Sequence, residues 1–169
     1  LESKAGQKVA LVGPSGAGKT QLCLTVAANA VARGRNVHWI QAGSCSFYEQ
    51  RFLKILGERT KRGRVTTEFV EDAESLVRGV ENCPAASVVI VDSPCAVLSP
   101  NLGGNRNHLG YHDISLVAIA LAKRSKKGAV VLVVNGTVRA SEDDSPKETW
   151  KPALGLAWTY AVGILLSLS

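Results

Sequence analysis

Methionine is absent from the chain of 169 residues, and aromatic side chains supply only 5% of it. A core with so few rings has to be built from aliphatic and small residues. The cysteines Cys23, Cys45, Cys83 and Cys95 form no C-x-x-C pair. That spacing excludes a zinc knuckle and argues against a disulfide framework, so a reducing compartment is expected. Cys23 and Cys95 stand among apolar residues and read as buried small side chains. No apolar run approaches the roughly 20 residues of a membrane-spanning helix, and no charged-then-apolar leader opens the chain. Repeats and low-complexity tracts are missing as well.

Hydrophobic residues make up 46% of the chain and its formal charge is +6. The length suits one domain, 1–169, with a sizeable core. Basic residues gather at Arg59–Arg64 and Lys123–Lys127. Such clusters permit contact with nucleic acid, although a solvated face is the more ordinary reading of charge alone.

Strand-like and helix-like stretches alternate. Strands are predicted over Lys8–Val12, Asn36–Ile40, Val65–Val70, Ser87–Asp92, Ala129–Val134 and Ala161–Leu168. Helices are predicted over Lys19–Ala32, Glu49–Glu58, Glu71–Val80 and Asp113–Ser125. The continuous runs Val88–Val91 and Val130–Val134 suit strands covered on both faces. The expected class is therefore α/β, a mostly parallel sheet with helices on both faces. Two long loops, Ser99–His112 and Asn135–Pro152, follow core strands at the edge where such sheets bind ligands.

Gly13-Pro14-Ser15-Gly16-Ala17-Gly18-Lys19-Thr20 matches G-x-x-x-x-G-K-S/T between a strand and a helix. Glycines let backbone N–H groups turn inward around a phosphate chain, and the helix that follows adds its positive end. Lys19 would reach the β- and γ-phosphates and Thr20 would ligate Mg²⁺, with Gln21 continuing the loop into the helix. Val88-Val89-Ile90-Val91-Asp92-Ser93 is an apolar strand ending in an acid. Paired with the upstream loop, it reads as the second motif of a P-loop NTPase, Asp92 holding the Mg²⁺ shell. The alternative for Asp92 is a cap on the turn before Pro94.

Together these residues resemble the RecA/Rad family of homologous-recombination ATPases, and within it the eukaryotic recombinase paralogues, nearest to their D branch. The resemblance rests on Gly18–Leu24, on Val91-Asp92-Ser93 followed by Ser99-Pro100-Asn101-Leu102-Gly103-Gly104, and on Lys151-Pro152-Ala153-Leu154-Gly155 with Trp158. It covers nearly the whole chain. It implies a RecA-like core that binds ATP and Mg²⁺, partner paralogues in a hetero-oligomer, single-stranded DNA, and a nuclear location. By the same resemblance Arg106 in the first loop, and Arg139 and Lys147 in the second, would touch DNA phosphates. Lys151 and Pro152 would lie where a neighbouring protomer's nucleotide is covered. Relatives carry a helical N-terminal domain before the core and further strands after it, so the chain reads as a core without them.

The chain departs from the family in two places. Active recombinases place a Glu just past the second strand, where this sequence runs Trp39-Ile40-Gln41-Ala42-Gly43-Ser44-Cys45. Glu49 comes only later. They also carry a polar γ-phosphate sensor, typically Gln, after the Asn that ends the next core strand, but here Asn135 is followed by Gly136-Thr137. ATP binding with slow hydrolysis is expected, in a mediator subunit of double-strand-break repair. The alternative is a DNA-dependent ATPase that exchanges strands itself. A phosphotransferase would need a lid of arginines, and the second loop offers only Arg139. His108 and His112, Tyr111, and Trp39, Trp150 and Trp158 read as ordinary surface or packing residues.

Overall fold

The computed structural model describes residues 6–43, 47–59, 62–84, 87–103, 105, 107–139 and 150–169. The strands are β1 (Lys8–Val12), β2 (Val37–Ala42), β3 (Val65–Val70), β4 (Val88–Asp92), β5 (Val130–Asn135), β6 (Thr137–Arg139), β7 (Trp150–Pro152) and β8 (Ile164–Ser167). The helices are α1 (Lys19–Ala32), α2 (Glu49–Leu56), α3 (Ala73–Asn82), α4 (Cys95–Leu98), α5 (Asn107–Lys126) and α6 (Gly155–Val162), with a 3₁₀ turn at Ser99–Asn101.

Six strands form one parallel sheet in the order β3-β2-β4-β5-β1-β8. Every residue of β4 and β5 is buried, as the continuous apolar runs require of strands covered on both faces. One face is packed by α1 and α2, through Leu24, Ala27, Val31, Phe52 and Leu56 around Trp39. The alanines of α1 let its axis lie close to the sheet. The other face is packed by α3, α5 and α6, through Leu76, Val80, Ile114, Leu121, Leu154 and Trp158. Both layers are aliphatic, as the shortage of aromatics demanded, and the two fully buried tryptophans anchor one layer each. A separate antiparallel ribbon pairs β6 with β7, Thr137 opposite Pro152 and Arg139 opposite Trp150.

The strand order matters for the site. β5 stands between β1 and β4. The turn after β1 and the acid ending β4 therefore face each other across the C-terminal exit of β5.

Several expectations about elements need correction, the first being the loop Asn135–Pro152, whose two ends pair as β6 and β7. The stretch Ser99–His112 is mostly helical rather than an open loop: the 3₁₀ turn follows α4 directly, and α5 begins at Asn107. Gly110 lies within α5. In the fold it allows α5 to press on the preceding turn, since a Cβ there would sit 2.4 Å from the Asn101 carbonyl oxygen. The last predicted strand, Ala161–Leu168, begins too early. Leu154 at the N-cap of α6 and Trp158 and Val162 on it recur every fourth residue and are buried, and the helix continues to Val162 before β8. Finally, α3 starts at Ala73 because the Asp72 carboxylate accepts from Ser75 N–H at 2.7 Å and caps the helix.

Candidate nucleotide-binding site

The loop after β1 opens α1 with Gly16 and Gly18 at φ of 84° and 83°. It forms one wall of a cleft of about 590 Å³, through Ser15, Gly16 and Gly18 to Gln21. Asp92 and Ser93 from β4 form its floor. Val134, Gly136 and Thr137, at the exit of β5, form an adjoining wall. Tyr48 and Arg51, at the start of α2, complete it.

Two contacts organise the cleft. Thr20 Oγ1 donates to Asp92 Oδ2 at 2.8 Å across 72 residues of sequence. Lys19 Nζ donates to the Gly13 and Pro14 carbonyls at 2.8 and 2.6 Å. The ammonium is thus held against its own loop by oxygen acceptors, the kind of partner a phosphate chain supplies. A hydroxyl and a carboxylate in direct contact form a hard oxygen donor set that suits Mg²⁺. The residues present therefore fit a magnesium triphosphate. The Asp92–Ser93 peptide bond is cis.

Burial pushes the Asp92 carboxyl above the usual carboxylate range, against the Thr20 hydrogen bond and the Lys19 charge, which pull it down. A raised folded pKa means that the favourable state is the protonated one. Its stability contribution is complete below the unfolded value of about 3.9 and is lost as pH rises through the folded value. Asp92→Asn removes that loss. The ligand-free variant should melt no lower than the parent, with a margin that widens as pH rises above about 4. Its Mg²⁺-dependent nucleotide affinity should fall about 10-fold or more. Calorimetric melts across that range, with titrations in Mg²⁺ and in chelator, check both halves. A melting profile parallel to the parent's would remove the basis for the argument.

Other chemistry-bearing residues fall outside the cleft. Glu49 is exposed and lines a neighbouring groove with Gln50 and Lys54. Gln41, level with Asp92 across β2 and β4, spends its Oε1 accepting from Phe47 N–H at 2.9 Å. Asp92 is therefore the one acid lining the cleft among the described residues. Asp113 accepts from Asn101 Nδ2 at 2.9 Å and pairs with no catalytic partner. His108 and His112 are exposed on α5, and no group of three or more metal-ligating side chains occurs among the described residues. Cys23 is buried as expected, its thiol pushed up by burial and by the nearby Asp92 charge. Cys95 is only half-buried and donates its Sγ–H to Asn135 Oδ1 at 3.1 Å.

Of the residues expected to face DNA or a neighbouring protomer, Arg139 stands on β6, and Lys151 and Pro152 on β7. Trp150 is exposed on the same ribbon. Arg106, Lys147, Cys45 and the acids Glu142, Asp143, Asp144 and Glu148 lie outside the described residues. Sequence reasoning missed Tyr48 and Arg51. The Arg51 guanidinium lies 5.1 Å from the Tyr48 ring centroid. Their spacing of three residues on a helix start was the only available sign of that pairing.

A six-stranded parallel sheet with its phosphate loop after β1 and its acid on β4 defines a P-loop core of the RecA-like α/β class. A solved DnaB-like replicative helicase, described with its interactions with primase, superposes with a TM-score of 0.64 at 11% identity. That likeness covers 97% of this chain and 47% of the helicase chain. No protein-family model matches. Among curated proteins, DNA repair protein RAD51 homolog 4 of Mus musculus is 31% identical over 177 aligned positions, 92% of this chain and 52% of its own length. The Bos taurus homolog 4 is 30% identical over 185 positions, 96% of this chain and 55% of its own. The chain is similar, over most of its length, to the RecA/Rad family of recombinase paralogues. It spans about half the length of the curated relatives it matches.

Proposed function

We propose that residues 1–169 are the ATP-binding core of a recombinase paralogue that serves homologous-recombination repair in the nucleus as a mediator subunit. In this reading the core binds Mg-ATP, joins partner paralogues in a hetero-oligomer, and touches single-stranded DNA, with slow hydrolysis. The supporting observation is the cleft itself: Lys19, Thr20 and Asp92 converge on it, while no second carboxylate lines it among the described residues. Such a site grips a nucleotide more readily than it consumes it. Mg²⁺ would be held by Thr20 and Asp92 and would supply charge neutralisation at the phosphates. Lys19 would supply a fixed cation, and Gly13, Pro14, Ser15, Gly16, Ala17 and Gly18 the surrounding backbone.

A nucleotide that is held rather than turned over stabilises the state that binds it, by about 2.7 kcal/mol at 100 times Kd. ATP is then a structural ligand. The repair role is supported by the relatives' descriptions. The DNA contact is supported by Trp150, exposed opposite Arg139 on a ribbon that starts at the cleft residue Thr137. The test combines calorimetric titration with Mg-ATP and capture of purified partner paralogues with and without nucleotide. Tight uptake with nucleotide-dependent capture supports the reading. Absence of adenine-nucleotide uptake by folded chain would overturn it.

A further inference from the structure

The wall of the cleft at the exit of β5 carries a hydroxyl with nothing to bond. Gly136, directly after β5, has no side chain. Asn135 is fully buried and its Oδ1 is engaged by Cys95. Ser93 Oγ donates to the Val134 carbonyl at 3.0 Å. Thr137 lines the cleft, and its Oγ1 is buried without a hydrogen-bond partner. A buried hydroxyl left unpaired is costly, and it gains most from an acceptor brought by a ligand. Because β5 lies between β1 and β4, this wall adjoins both the phosphate loop and Asp92. A triphosphate gripped by Lys19 and reaching toward Asp92 would pass its terminal group along this wall.

We infer that Thr137 is a specificity residue of the cleft, its hydroxyl turning about χ1 to donate to the terminal phosphoryl group and so distinguishing a triphosphate from a diphosphate. The inference rests on the nucleotide reading above and adds a residue to it. Thr137 stands one position beyond the side-chain-free Gly136, and a short hydroxyl there does what a longer amide at 136 would do. It supplies no base, so it selects the ligand without speeding hydrolysis. Charge-assisted hydrogen bonds of this kind form only with the third phosphate present.

The experiment compares Thr137→Val, which keeps the shape and removes the hydroxyl, with Thr137→Ser, which keeps the hydroxyl. Affinities for Mg-ADP and for a non-hydrolysable Mg-ATP analogue are measured calorimetrically on the full chain. Thr137→Val should weaken the triphosphate about 10-fold, hold ADP within about 2-fold, and melt no lower than the parent without ligand. Thr137→Ser should restore the preference for triphosphate. Equal loss for both nucleotides, no loss for either, or a serine variant that behaves like valine would overturn the assignment while leaving the nucleotide reading intact. If the parent takes up neither nucleotide, the nucleotide reading fails, and this assignment with it.

Discussion

Lys19→Ala is expected to abolish Mg-ATP uptake while leaving the fold in place. The side chain is half-buried and its only bonds within the described structure run to the Gly13 and Pro14 carbonyls. Both acceptors belong to a loop bordering an open cleft, so water replaces the lost donor at little cost. Toward a triphosphate the ledger is different. Hydrogen bonds to charged groups are worth about 1.5–3 kcal/mol each, and an ammonium reaching two phosphates loses two of them. At about 1.4 kcal/mol per decade, the affinity should fall by about 10² to 10⁴. Arg51 also lines the cleft, but its guanidinium is stacked on the Tyr48 ring rather than held by the loop. Calorimetry on the variant, with a melt to confirm folding, measures this directly. An affinity within about 3-fold of the parent would mean that the loop does not cradle phosphate. In partner capture, the same variant should lose whatever part depends on nucleotide.

The parts of this site that were legible in the sequence are those encoded locally. The glycine spacing of 13–20 and the apolar run ending in Asp92 each announce a geometry within a few residues, and the fold adds only their meeting through Thr20 and Asp92. The buried strands β4 and β5 were legible for the same reason: a strand covered on both faces has no polar residue to interrupt it. What was not legible depends on packing between distant segments. α5 extends through Gly110 because a turn presses on it from outside the helix, which no propensity records. α6 is short and almost wholly apolar, so its four-residue period was masked by a strand-like composition. Arg51 and Thr137 entered the site through the strand order, which brings the start of α2 and the exit of β5 to one cleft. The neighbours of Arg51 in sequence carry no sign of it, and for Thr137 the sign was the resemblance's sensor position beside it, after Asn135.

Turnover by the isolated chain should lie about 10² to 10⁴ below that of an active recombinase, the range a positioned base contributes. The fold gives a reason beyond the missing acid. Gly43 is the first residue past β2, and its φ is +72°. A Cβ placed there would stand 2.6 Å from the Ala96 Cβ. A side chain at this position would therefore meet both a left-handed backbone, at about 1–2 kcal/mol, and a packed neighbour. Gln41, one residue before the end of β2, is tied to Phe47 N–H and Glu49 opens into another groove, so neither replaces the base. It follows that Gly43→Glu should not confer hydrolysis. It should lower the melting temperature, by about 2–4 °C per kcal/mol of strain, and adding Ala96→Gly should recover only the part due to the clash. Phosphate release from parent, single and double variants, each with and without single-stranded DNA, checks both statements. Strong DNA-stimulated release from the parent alone would show that the water is oriented by some other group, and the alternative of a self-sufficient strand-exchange ATPase would then take precedence.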